Sequence, residues 1–217
     1  MIIDLHLNGK TVVILGAGNE ALKRIKLLEN EDCRIIVLGQ KPHSTIEKLA
    51  KQKKIILKKI KLTSANFIKD YKPFLIIAST SDSLLNHKIV QTARKKKILA
   101  YASDSPELSD ISYLSIFDIK ETIKVGISTS GASPIMAKKI KSKAEKLLEK
   151  AVTKNDLQLI KIQKFARNES KKHIPTQAER KKFLYALMND KRVKELLKDG
   201  KYKRIQTIIK NMVKDWK

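Results

Sequence analysis

The chain holds one cysteine, Cys33, and only 5% aromatic residues in 217 positions. A single thiol rules out an internal disulfide framework of the kind small secreted proteins rely on. No apolar run approaches the roughly 18 residues that cross a bilayer. No charged segment followed by an apolar stretch opens the chain as an export signal would. We therefore expect a soluble, cytoplasmic protein with no membrane contact. Its four histidines, His6, His43, His87 and His173, are scattered along the chain. They offer no metal-ligand spacing, so we expect no metal site.

Acids are scarce as well. Lys and Arg number 47 against 22 Asp and Glu, a formal net charge of +25. Such an excess points to polyanionic partners, whether nucleic acid, an anionic membrane surface or a multiply charged small molecule. A Lys- and Ile-rich composition of the kind a heat-adapted or AT-rich genome produces would give the same excess. Charge is densest after residue 150, where 19 basic residues face 7 acids. With 42% hydrophobic residues the chain can bury a proper core.

Apolar, β-rich runs alternate with helical periods in the first half. TVVIL (11–15), RIIVL (34–38), KIIL (54–57), FLIIA (74–78), ILAYA (98–102) and IKVGIS (123–128) read as strands. Helical patterns fill 19–30, 43–52 and 82–96, with a short turn near 64–70. Short apolar runs without polar alternation suit strands covered on both faces, so the alternation predicts an open parallel sheet wound by helices. After Pro134 only helical spacing is found, with Pro175 and Thr176 opening one helix and Gly200 breaking another pair. These patterns divide the chain into an α/β domain (1–112), a junction with one strand and a long helix (113–150) and a basic helical domain (151–217).

The stretch TVVILGAGNEALKRIKLL carries the first functional signal. Gly16 and Gly18, followed by Asn19 and Glu20, form a turn between a strand and a helix. In a Rossmann-type domain such a turn lets the backbone approach a pyrophosphate at the helix N-terminus. Ala21 takes the place of the third glycine. Tight strand–helix turns also use glycine for conformation alone, so the turn by itself is a moderate signal. The acid expected after the second strand, for the ribose hydroxyls, is absent. Gln40 and Lys41 stand there instead, the one able to bond a ribose and the other to meet a phosphate, and the choice between NAD and NADP stays open.

Three other segments end strands in polar residues: IIASTSDSLLN, with Ser79, Thr80 and Asn86; YASDSPELSD, with Asp104; and ISTSGASPIMAKKI, with Ser128, Thr129 and Ser130. Strand C-termini are where ligands sit in an open α/β sheet, so we expect these to share the crevice of the glycine turn. Asp104 could equally cap a turn, and Ser133 could cap the helix that follows it.

Taken in order, GAGNEALKRIKLL, ASTSDSLLN, YASDSPELSD and STSGASP resemble the motifs of the precorrin-2 dehydrogenase family, the N-terminal module of siroheme synthases, over at least residues 5–150. Two positions depart from the family pattern: Tyr101 stands where Asn is usual, and Leu114-Ser115 where a proline is expected. The resemblance implies a Rossmann-type fold, a dimerisation segment and a C-terminal helical domain. It implies NAD-dependent oxidation of precorrin-2, a polycarboxylate tetrapyrrole, to sirohydrochlorin. Asp104 matches the catalytic aspartate, suited to the role if burial raises its pKa. Gly16, Gly18, Asn19, Glu20, Gln40, Lys41, Ser79 and Thr80 would hold the cofactor, and Ser128, Thr129 and Ser130 the substrate carboxylates. The resemblance also implies a homodimer, through an apolar face on Ile135, Met136, Ile140, Ala144, Leu147 and Leu148, a face that packing within the monomer would serve as well. Some members also insert ferrous iron; no metal cluster here adds to that. The competing reading is a non-catalytic NAD-, tetrapyrrole- or nucleic-acid-binding protein whose Lys/Arg-rich helices contact phosphates. Against a nucleic-acid partner, no helix-turn-helix spacing appears and aromatics are few.

Overall fold

The computed structural model describes residues 2–216; Met1 and Lys217, the outer ends of the two expected terminal domains, lie outside them. The chain divides into two compact units, Met1–Tyr113 and Leu114–Lys217.

The first unit is an α/β layer structure. Its strands are β1 (Thr11–Leu15), β2 (Arg34–Leu38), β3 (Ile56–Lys58), β4 (Leu75–Ala78) and β5 (Leu99–Ala102). They form one parallel sheet in the order β3-β2-β1-β4-β5. Helices α1 (Asn19–Leu28), α2 (Ser44–Lys51), α3 (Phe67–Tyr71) and α4 (Ser83–Lys95) connect them. Alternate residues of each strand face opposite layers, because side chains on a strand repeat every two positions. Val12, Ile14, Val37 and Ile77 pack with Ala21, Ile25 and Ile46 of α1 and α2. Val13, Leu15, Ile36 and Ile76 pack with Phe67, Ile89 and Val90 of α3 and α4. Burial on both faces is why these strands read as unbroken apolar runs. All five strands run the same way, but the order in which they are added reverses between β1 and β4, and that switch opens a crevice at the strands' C-terminal ends.

The second unit begins with a feature the sequence reading missed. β6 (Ser115–Ile119) and β7 (Ile123–Ile127) form an antiparallel hairpin. One strand was expected in this segment and two are present. The turn places Lys120 and Glu121 both at positive φ, 47° and 55°, with Thr122 N–H donating to Ile119 O at 3.1 Å. That conformation normally selects Asn or Gly, so Lys-Glu gave no hairpin signal. Leu114, one of the two departures, lies against Gly126, where an added Cβ would meet its Cδ1 at 2.8 Å. Helices α5 (Pro134–Ala151), α6 (Lys154–His173), α7 (Gln177–Asn189), α8 (Lys191–Lys198) and α9 (Tyr202–Lys214) follow. Ile162, Ala166, Phe183, Leu187, Ile205 and Ile209 make the core of the last four. Pro175 precedes the cap of α7, and Thr176 is the cap, its hydroxyl accepting from Glu179 N–H at 3.2 Å.

Candidate active site

Five segments of the first unit surround a cleft of about 610 Å³ at the C-terminal edge of the sheet. The glycine turn supplies Gly16 to Glu20, β2 ends in Gly39, Gln40 and Lys41, and Ile60 to Leu62 follow β3. Ser79 to Asp82 end β4, and Leu85 lies on α4. All eight residues expected at the cofactor line this cleft.

Two glycines of the turn do different work. Gly16 has φ +92°, and a Cβ there would sit 2.4 Å from the Ser79 carbonyl oxygen. Its role is to let β1 and β4 end against each other. Gly18 has open space where its Cβ would be. As N-cap of α1 it brings no side chain to the helix start; α3 and α9 also lack a side-chain cap, whereas α2, α4, α5, α6, α7 and α8 are each capped by one. The first-turn N–H groups of α1 thus face the cleft without a side-chain cap, which is how a helix end receives a phosphate. The residues present fit a dinucleotide.

The far wall is tied to this turn. Gly16 N–H donates to Leu38 O at 2.9 Å, Gly39 N–H to Lys58 O at 3.1 Å and His43 N–H to Ala17 O at 2.8 Å. A Cβ on Gly39 would lie 2.9 Å from that of Ala17. Glu20 bonds Lys23 at 3.0 Å and also pairs with Arg24. Burial pushes the Glu20 carboxyl up, but these two cations hold it below the ordinary range. Arg24 in turn lies against the rings of Tyr101 and Tyr113, 4.8 and 4.2 Å from their centroids, while the two rings meet edge to face. It donates to the Tyr101 hydroxyl at 2.9 Å. Tyr101, the second departure, therefore has a packing role, and burial pushes the Tyr113 phenol up to about 12.

Asp104 sits in the loop after β5. Ser83 Oγ donates to its Oδ2 at 2.6 Å and Asn86 Nδ2 to the same oxygen at 3.1 Å. Asn86, on α4 and fully buried, also accepts from Thr80 N–H at 3.2 Å and from the Thr80 hydroxyl at 2.7 Å. It thereby links Asp104 to the cleft. The expectation of a raised pKa is corrected here. Burial does push the carboxyl up, but hydrogen bonds from Ser83, Asn86 and backbone, with His87 nearby, leave it below the ordinary range. The donors come from α4, a segment distant in sequence, so a local reading could not see them.

The hydroxyl-rich loop does not end a strand of the parallel sheet. β7 pairs with β6 alone among the described residues, and its loop belongs to the second unit. Ser128 Oγ accepts from Ser130 N–H at 3.0 Å, while Thr129 Oγ1 accepts from Ser133 N–H at 3.1 Å. Ser133 caps α5, accepting from Met136 N–H at 3.2 Å. Among the described residues no cluster of three metal-ligating side chains occurs, and no helix is long and apolar enough to cross a membrane.

Comparison with known proteins agrees with this geometry. A family model described as "Putative NAD(P)-binding" matches residues 3–115. The chain is 29% identical over 147 residues to a precorrin-2 dehydrogenase of Bacillus subtilis, covering 68% of this chain and 88% of that protein. It is 27% identical over 212 residues to a siroheme synthase of Buchnera aphidicola subsp. Acyrthosiphon pisum, covering 97% of this chain and 43% of that one. The chain spans less than half the length of the siroheme synthases it matches. A solved structure titled "SirC, precorrin-2 dehydrogenase" superposes over 100% of both chains with a TM-score of 0.66 at 20% identity, a likeness of fold.

Proposed function

We propose, from the premise that this chain belongs to the NAD(P)-binding family matched over residues 3–115, that it oxidises precorrin-2 to sirohydrochlorin with NAD in the cytoplasm. The observation that carries this reading is the cleft whose uncapped glycine turn is joined through Thr80 and Asn86 to Asp104. It is supported by the relatives named precorrin-2 dehydrogenase and siroheme synthase.

NAD, when bound, supplies the hydride acceptor. The first turn of α1 and Gly18 would hold its pyrophosphate, and Gln40, Lys41, Ser79 and Thr80, which line the cleft on either side of that turn, would hold the rest of it. Oxidation removes two hydrogens from precorrin-2, one as hydride and one as a proton. Asp104 is ionised at neutral pH, and it takes that proton. Ser83 and Asn86 both donate to Oδ2, so Oδ1 is the oxygen they leave to accept it; the proton then passes to water. The basic surface draws in the polycarboxylate substrate. The active form is a homodimer through α5, which exposes Ile135, Met136, Ile140 and Leu147.

The test is an anaerobic assay with precorrin-2 generated in situ, following sirohydrochlorin absorbance with each dinucleotide for wild type and Asp104→Ala. Turnover by wild type and its loss in the folded variant are expected. Turnover that survives the substitution removes Asp104 from the mechanism; none with either cofactor removes the function.

A further inference from the structure

The cleft crosses the strand ends in the order β3, β2, β1, β4. With the pyrophosphate over the α1 N-terminus, the adenosine half lies toward β2 and β3. The residue ending β2 decides what the adenosine ribose may carry there. An acid at that place bonds the 2′- and 3′-hydroxyls and repels a phosphate; a cation accommodates one.

Here β2 runs into Gly39-Gln40-Lys41, with no acid between Cys33 and Ile46. From the neighbouring strand, Lys61 lines the same end of the cleft, between Ile60 and Leu62. Neither Lys41 nor Lys61 has an ion-pair partner among the described residues, whereas Lys59 beside them is paired with Glu47. The two acids of the cleft stand elsewhere. Glu20, on α1, is held by Lys23 and Arg24, and Asp82 caps α4, accepting from Leu85 N–H at 2.9 Å. So the adenosine end presents two unneutralised ammonium groups, an amide able to bond a ribose hydroxyl, and two apolar side chains suited to the adenine face.

We infer that this end of the cleft is built for a 2′-phosphate, and that the protein binds NADP beside NAD and holds NADP the more tightly. The inference rests on the reading of the cleft as the dinucleotide site. A 2′-phosphate brings close to two negative charges and three acceptor oxygens to two lysines with no competing acid.

Calorimetric titration of the full chain tests it without turnover, using adenosine 2′,5′-bisphosphate, 5′-AMP and 5′-ADP, then NADP and NAD. The 2′-phosphate is expected to tighten binding on the order of tenfold, both over 5′-AMP and between the dinucleotides. In Lys41→Ala/Lys61→Ala that gain should vanish while 5′-AMP binding persists. 5′-ADP, which adds charge at the other end, should lose far less. Gln40→Asp should invert the preference toward NAD. Equal affinity for the 2′-phosphorylated and plain nucleotides, or a gain that survives the double substitution, overturns the inference and leaves the dinucleotide site standing. Absence of binding by any nucleotide overturns both.

Discussion

Asn86 Nδ2 donates to Asp104 at 3.1 Å while its Oδ1 accepts the Thr80 hydroxyl at 2.7 Å, so one buried amide joins the ends of β4 and β5. Asp104 and the wall of the cleft at Thr80 are thus held together by a single side chain.

The bonds from Ser83 and Asn86 set the pH range in which Asp104 can work. Its pKa in the fold lies below the ordinary value, so the carboxylate form dominates at neutral pH. The acid limb of the rate profile should fall below the usual aspartate range. Ser83→Ala removes one donor and should move that limb to higher pH by roughly half a unit to one unit. The linked stability has the same sign: it is present above the unfolded pKa and lost as pH falls through the folded one. Urea midpoints of wild type and variant should therefore differ near pH 7 and converge below both pKa values. A rate profile unmoved by the substitution would separate Asp104 from proton transfer.

The two glycines of the turn should respond oppositely to alanine. Gly16→Ala forces a side chain to φ +92° and into the Ser79 carbonyl, and should cost roughly 2–4 kcal/mol in denaturant unfolding. Gly18→Ala meets no neighbour within 4 Å and should stay within about 1 kcal/mol of wild type. Its dinucleotide affinity, measured by calorimetry, should nevertheless fall on the order of tenfold or more, because the methyl group occupies the side from which pyrophosphate approaches. Unchanged affinity in this stable variant would move the phosphate site away from α1.

Ile135 and Leu147 are 79% and 69% exposed on α5, an arrangement that association would relieve. Sedimentation velocity should give the mass of two chains for wild type and one chain for Ile135→Lys/Leu147→Lys, with helical circular dichroism unchanged. A wild-type monomer across micromolar concentrations would discard the dimer.

The parallel sheet was legible because TVVIL, RIIVL and FLIIA are buried on both faces, and short continuous β-branched runs are what a doubly covered strand requires. The glycine turn and its neighbours Gln40, Lys41, Ser79 and Thr80 were legible for a related reason: strand ends in such a sheet converge whatever the loop sequences. The hairpin at β6 was not, since Lys120 and Glu121 occupy left-handed positions without Asn or Gly to announce them. Asn86 was visible as a motif residue, but its bridging role depends on where α4 packs. The same long-range packing reversed the expected shift at Asp104. Arg24 and Tyr101, 77 positions apart and hydrogen-bonded, show a third kind of relation that spacing alone does not carry.

The loop after β2 hangs between two fixed points, Gly39 on Lys58 and His43 on Ala17. Gln40 and Lys41 lie between those anchors and contribute nothing to the buried layers. On the proposed reading of the cleft, a lineage could exchange them, and with them its choice of electron carrier, by one or two codon changes that leave folding untouched. Selection can thus follow whichever dinucleotide pool a cell keeps oxidised without rebuilding the enzyme around it.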